Sequence, residues 1–238
     1  MREVKIDSVK AHISEAKDVK ELTEFCYSWL VTSIRELKAK RVFLPAGSTP
    51  ISLYKLMEEK PCKELSSVTF VQIDDVISGS KRGVFKRFFE EHLPSFISQF
   101  EFIDADVSRN AGADIALLGL GLNGHVAFHE PHLPKDFTFG TVDLSLETIK
   151  NLKLEPAAKG KSYGLGSFLA CKKVLMISQG ASKALITAET LNAKSGLPSS
   201  ALLSHKDFTL AGDEAAFSFL ESARCPVEAM FDTHSLSA

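Results

Sequence analysis

No stretch of this chain is apolar for long enough to span a bilayer. The longest runs, such as Ile115 to Leu118, break off early, which predicts no membrane segment. Cysteine is scarce. Cys26, Cys62, Cys171 and Cys225 stand far apart with no paired spacing, so neither a disulfide framework nor a zinc site is expected. They read as reduced thiols in a cytoplasmic setting. Basic charge is not in excess either. Lys and Arg number 28 against 30 Asp and Glu, a net charge of −2, which argues against a nucleic-acid partner. The opening Met1-Arg2-Glu3-Val4-Lys5 has no apolar core and predicts neither a signal peptide nor an anchor. Internal repeats and low-complexity tracts are absent. What is present is ordinary for a globular chain: 238 residues, 45% hydrophobic and 24% charged, with length enough for a real core.

The pattern along the chain alternates between short apolar runs and helical periodicity. Residues 14 to 38 carry Leu22, Phe25, Cys26, Leu30, Ile34 and Leu37 at helical spacing. Arg41 to Leu44 reads as a strand, followed by the turn Pro45 to Pro50 and a helix through Leu53, Tyr54 and Met57. Val68 to Ile73, Asp114 to Leu118, Lys173 to Ile177 and Phe208 to Ala211 read as further strands. Helices are expected over Gly83 to Phe96, after Gly180 to about Asn192, and from Asp213 to about Ser222. Apolar strands alternating with helices predict an open three-layer α/β/α fold with a mostly parallel, Rossmann-like sheet. Glu130 to Ser162, with Pro131, Pro134 and Pro156, predicts a long excursion with little regular structure. No linker is apparent, so residues 1–238 are read as one domain with a lid in 131–162.

In such sheets ligands bind beyond the carboxyl ends of the strands, and the chemistry-bearing residues fall there. Gly47-Ser48-Thr49 precedes Pro50 at a helix start; glycine, two hydroxyls and free backbone N–H groups suit a phosphate or a plain helix cap. The Gly-Lys-Ser/Thr signature of a nucleotide P-loop is missing. Asp74-Asp75 follows a buried strand. One carboxylate can face a ligand as a general base while the other binds backbone, and a simple capping role is the alternative.

The richest segment is Gly119-Leu-Gly121-Leu-Asn123-Gly124-His125-Val-Ala-Phe-His129-Glu130-Pro131. Its G-x-G-x-x-G, with Asp143 beyond it, has the form of a dinucleotide fingerprint. Pro131 and Pro134 would break the helix that fingerprint needs, so no organic cofactor is expected. His125, His129 and His132 lack the H-E-x-x-H spacing, so no metal is expected. The better reading is a glycine turn presenting His125, with Glu130 reaching back to it as an acid/base pair. Gly164-Leu-Gly166-Ser167 forms a fourth segment. Lys183 opens a helix, where a cation is disfavoured unless an anion sits there.

Together these segments resemble glucosamine-6-phosphate deaminase and, more distantly, 6-phosphogluconolactonase, two families that share one fold. The resemblance runs from about Val42 to Glu214. It is carried by Leu44 to Lys55, Ile73-Asp-Asp75, Gly119 to Pro131, Gly164-Leu-Gly166, Gly180 to Leu185 and Asp213-Glu214. The Gly-His-x-Ala-Phe-x-Glu-Pro segment is that of the deaminase branch. It implies a sugar-phosphate substrate held by Gly47, Ser48, Thr49 and Lys183, with Asp75, Gly121, Gly124 and Gly166 as further substrate contacts. It implies that His125 opens the sugar ring beside Glu130, and that Asp74 moves the C2 proton in an aldose–ketose isomerisation that releases ammonia. Neither metal nor cofactor is implied.

The chain departs from the family at Asn123, where the family has Asp in the ring-opening constellation. It also has no Arg between Asn110 and Ala223, where the family lid brings one to the phosphate; the next, Arg224, lies in the tail end, and Lys159 or Lys161 is the candidate to replace it. Two alternatives therefore stand beside the deaminase: lactone hydrolysis with His125 activating water, and a sugar-phosphate-binding regulator with an impaired site. Association into a homo-oligomer is left open by the sequence.

Overall fold

The computed structural model describes residues 1–3, 11–104 and 112–222. Its main sheet contains β1 (Arg2–Glu3), β2 (His12–Ala16), β3 (Arg41–Leu44), β4 (Thr69–Gln72), β6 (Phe100–Glu101), β7 (Ile115–Gly119), β10 (Lys173–Ser178) and β11 (Phe208–Asp213). The order is β1-β2-β11-β10-β7-β3-β4-β6, and every pairing is parallel except β1 with β2.

Helices cover both faces, and the strands are accordingly apolar on both sides. Val42 and Leu44 pack with Leu22, Leu30 and Ile34 of α1 (Val19–Leu37) and with Tyr54 and Met57 of α2 (Ile51–Glu59); Phe89 of α3 (Val84–His92) joins this side. Phe43, Leu118 and Met176 point the other way. They meet Phe168 of α5 (Leu165–Leu169), Ile186 of α6 (Ala184–Thr190) and Phe217 of α8 (Glu214–Ser222). The short α7 (Pro198–Ala201) lies between α6 and β11 in sequence. The expected α/β/α architecture is what the chain adopts.

Several boundaries differ from the sequence pattern. The helix expected from residue 14 begins at Val19, because Asp18 caps it: its Oδ1 accepts from the Glu21 N–H at 2.8 Å, while Glu21 accepts from the Lys17 N–H at 2.8 Å. The residues before the cap form β2, with Ile13 and Ala16 buried. The helix expected to reach Phe96 stops at His92. Pro94 follows, Leu93 leaves the helical region, and a 3₁₀ turn over Pro94–Gln99 takes over. Lys183 closes a 3₁₀ turn over Ala181–Lys183 and only then does α6 start.

The largest correction concerns residues 130–162, which are not irregular. β8 (Phe139–Asp143) and β9 (Lys159–Tyr163) form an antiparallel sheet with β5 (Asp74–Val76), in the order β5-β9-β8, and α4 (Leu146–Leu152) connects β8 to β9. Lysines and a proline obscure the strands in the sequence, but this small sheet has its own core of Val76, Phe128, Val142, Leu144 and Ala158. Among the described residues no helix is long and apolar enough to cross a membrane.

Direction of winding fixes where a ligand can sit. From β3 the chain steps outward to β4 and β6; from β7 it steps the other way to β10 and β11. The loops after β3 and β7 therefore diverge and leave a crevice at the carboxyl ends of these neighbouring strands.

Candidate active site

A cavity of about 380 Å³ occupies that crevice. Its lining includes Gly47, Ser48 and Thr49 after β3, Asp74 at the start of β5, Gly121 and His125 after β7, and Lys183 after β10. Seven of the residues singled out in the sequence thus converge from four separate parts of the chain.

The β3 loop is shaped by its own residues. Gly47 has φ 118°, a conformation that disfavours any side chain. The Tyr54 hydroxyl on α2 donates to the Pro45 carbonyl at 2.6 Å and ties the loop to the helix. Among the described residues no hydrogen bond occupies the Ser48 or Thr49 hydroxyl, so both are free for a ligand. Lys183 reaches across from the far side. Its Nζ donates to the Leu120 carbonyl at 2.6 Å, and burial lowers its pKa. The other candidate cations lie elsewhere: Lys159 pairs with Asp143, and Lys161 donates to the Asp104 carbonyl at 3.3 Å. Arg224 is outside the described residues.

The adjacent acids Asp74 and Asp75 have divided roles. Asp75 is 1% exposed and satisfies four donors: the N–H groups of Val76, Phe85 and Lys86 at 2.8, 3.0 and 3.0 Å, and the Gln72 amide at 2.9 Å. Burial still raises its pKa, against these hydrogen bonds. It holds the start of α3 and does not line the cavity. Asp74 lines the cavity at 6% exposure. Burial first, and then the charge of Asp75, push its pKa well above the ordinary carboxylate range.

In the β7 loop the Gly121 N–H donates to the His125 carbonyl at 3.1 Å, and the Gly124 N–H to the Gly121 carbonyl at 3.0 Å. A Cβ on Gly121 would come within 2.2 Å of the His125 ring, so the imidazole lies over the turn only because that position is glycine. Gly124, at φ 79°, packs under Leu197 instead of lining the cavity. Gly166 also lies off the cavity, where it permits close approach of the Asp136 backbone.

Behind His125 sits a buried polar cluster. His125 Nδ1 is 3.7 Å from Glu130 Oε2, an ion-pair separation longer than a hydrogen bond. Asn123 sits between them: its Oδ1 accepts from the His125 backbone N–H at 3.1 Å, and its Nδ2 donates to Glu130 Oε2 at 3.3 Å. Glu130 is fully buried. Burial opposes its ionisation, but the interaction with His125 and hydrogen bonds from Thr148 and Ser145 outweigh it and bring the pKa down to about 2. His129 is buried against Phe137 and accepts from the Leu165 N–H at 3.2 Å; burial lowers its pKa to about 4, so it stays neutral. Among the described residues no three His, Cys, Asp or Glu side chains converge on a metal-binding geometry.

Sequence reasoning missed one part of the cavity wall. Phe85 of α3 and Thr148, Asn151 and Leu152 of α4 line it. The available signal was the helix start Ser145-Leu-Glu-Thr148, a hydroxyl cap with an acid in the first turn.

No protein-family model matches the chain. A glucosamine-6-phosphate deaminase of Streptococcus sanguinis is 29% identical over 208 residues, covering 77% of this chain and 88% of the relative. One from Bacillus velezensis is 26% identical over 236 residues, covering 86% and 98%. Among solved structures, a monomeric glucosamine-6-phosphate deaminase superposes with a TM-score of 0.74 at 23% identity, over 87% of this chain and 98% of that one. A 6-phosphogluconolactonase from Trypanosoma brucei superposes with 0.70 at 15% identity, over 89% and 99%.

Proposed function

We propose that this chain, a member of the superfamily that glucosamine-6-phosphate deaminases share with 6-phosphogluconolactonases, is a deaminase that converts glucosamine 6-phosphate, or a related amino-sugar phosphate, to fructose 6-phosphate and ammonia. The observation that carries the reading is Asp74. A carboxyl whose pKa is raised by burial, open to a cavity beside His125, is a base suited to taking a proton from carbon near neutral pH. Lactone hydrolysis, with His125 activating water, has no need of such a base.

In this reading the Gly47–Thr49 loop and Lys183 hold the phosphate at one end. His125, partnered by Glu130, moves the proton that opens the sugar ring to its aldehyde. Asp74 takes the C2 proton, giving an enol that carries the amine, and returns a proton to C1. The C2 imine so formed is hydrolysed by water, leaving the ketose and ammonia. Residues 131–162 act as the lid: α4 forms the outer wall with Thr148, Asn151 and Leu152, and excluding water there keeps Asp74 basic.

The test is ammonia release from glucosamine 6-phosphate by the purified protein. Wild type should release ammonia, and Asp74→Asn should lower the rate by about 10²–10⁴-fold, the usual contribution of a positioned base. No release from folded wild-type protein would refute the reading for this substrate. Hydrolysis of a 6-phosphogluconolactone in its place would move the chain to the lactonase branch.

A further inference from the structure

The two oxygens of Glu130 are served by different parts of the chain. Oε2 faces the β7 loop, with Asn123 Nδ2 at 3.3 Å and His125 Nδ1 at 3.7 Å. Oε1 is filled entirely from the start of α4: the Thr148 hydroxyl donates at 2.5 Å, the Ser145 hydroxyl at 3.0 Å and the Ser145 N–H at 3.4 Å. Ser145 is also the cap of α4, where its oxygen accepts from the Thr148 N–H at 3.1 Å, so the two hydroxyls are fixed relative to each other. Thr148 is 3% exposed and lines the cavity.

We infer that Ser145 and Thr148 are positioning residues for the His125–Glu130 pair: by saturating Oε1 they aim Oε2 at the imidazole and keep the carboxylate charged. The inference rests on reading the cavity as the active site, although the pair and its geometry stand independently of the substrate. A fully buried carboxylate left without these donors would rotate or take up a proton. The other groups facing it cannot substitute. Asn123 serves the same oxygen as His125. His129 is a neutral imidazole, held at about 4 by burial and the neighbouring His132. The groups that α4 presents to Glu130 are uncharged hydroxyls and an N–H. Hydroxyl donors confer charge preference without competing for the proton that His125 moves. The arrangement also makes the outer wall of the cavity responsible for the acid on its inner side, so that seating of α4 and charging of the pair are one event.

The experiment is a carbon NMR titration of the Glu130 side-chain carboxyl in the full-length protein without substrate, with the resonance assigned by its loss in Glu130→Gln. Thr148→Val keeps the shape and removes the hydroxyl; Thr148→Ser keeps the hydroxyl. The Glu130 midpoint, held at about 2, should rise in Thr148→Val, as expected when a donor to the charged form is removed, and return in Thr148→Ser. Where the protein releases ammonia, the pH profile of kcat/KM should change with it. kcat should fall by up to about a hundredfold in Thr148→Val, with KM little changed. Ser145→Ala should shift the midpoint in the same direction and covers the case in which Thr148→Val does not fold. An unchanged midpoint in folded Thr148→Val or Ser145→Ala overturns the inference. A shifted midpoint in a protein that releases no ammonia supports it while refuting the proposed substrate.

Discussion

Asp74 and Glu130 are two buried carboxyls of one site in opposite surroundings. Burial disfavours the charge on both. At Glu130 three side-chain donors and a backbone N–H surround the group, with His125 beside it, and its pKa falls to about 2. At Asp74 nothing offsets the burial, the neighbouring Asp75 adds to it, and the pKa rises. Donors, not depth, separate the two. In the proposed reaction the group that stays charged beside a histidine is the one enclosed by donors, and the group that exchanges a proton is the one left without them.

The largest effects test that contrast through stability. Glu130 has a folded pKa of about 2 against 4.5, so its contribution is present above about pH 4.5 and lost as pH falls through 2. Glu130→Gln should destabilise the protein by about 3 kcal/mol at pH 7, with the difference shrinking below pH 4.5. Asp74 has the reverse sign: a raised folded pKa favours the fold while the group is protonated, and that contribution is lost as pH rises through it. Asp74→Asn should therefore be more stable than wild type at pH 8 and should converge with it toward pH 4. Urea melts at pH 4, 6 and 8 read both. His129, held down to about 4, costs stability as pH falls from 6.5, but it does so in wild type and both variants alike. Two variants that shift in the same direction would break the comparison.

The bare acid was legible in the sequence and the enclosed one only half so. Asp74 stands at the end of an apolar strand, and parallel-sheet topology alone sends such a position to the ligand crevice. The glycine turn, His125 and the Gly47–Thr49 loop announce themselves by residue type for the same reason. Glu130 was visible as a neighbour of His125, but the donors that fix its charge were not. Ser145 and Thr148 come from a segment in which β8 carries exposed positions and pairs with β9, and β9 pairs in turn with β5, far away in sequence. Pairing of that kind leaves no local periodicity to read. Gly124 and Gly166 show the converse. Their motifs suggested ligand contact, while the structure uses their missing side chains for packing against Leu197 and the Asp136 backbone.

Asn123 sharpens the comparison at a smaller scale. Its amide donates to Glu130 Oε2 at 3.3 Å, where the Asp of the resembling family would bring a second carboxylate. Asn123→Asp should raise the pKa of one of the two acids, because two carboxylates so close repel each other. A raised acid loses its contribution as pH rises. The variant should therefore be about 1–2 kcal/mol less stable than wild type at pH 8 and close to it at pH 5. Thermal melts at the two pH values and the Glu130 titration check this. A loss independent of pH would mean that Asn123 acts by shape and not by its donor. A large gain in ammonia release would mean that two carboxylates serve His125 better than one.

The smallest effect separates side chains from backbone as the source of Glu130's setting. Ala127, between His125 and Glu130, has φ 53°, in the left-handed region that costs a residue with a Cβ about 1–2 kcal/mol. If side-chain donors hold Glu130, relaxing this turn should leave the pair as it is. Ala127→Gly should then gain about 0.5–1 kcal/mol, the relief being partly offset by the greater freedom of glycine when unfolded. The Glu130 midpoint and the rate of ammonia release should not move. A Glu130 midpoint that drifts up toward that of a free glutamate would assign the setting of the carboxylate to the strained turn. Ser145 and Thr148 would then merely cap α4, and the two acids would differ through their loops instead of their donors.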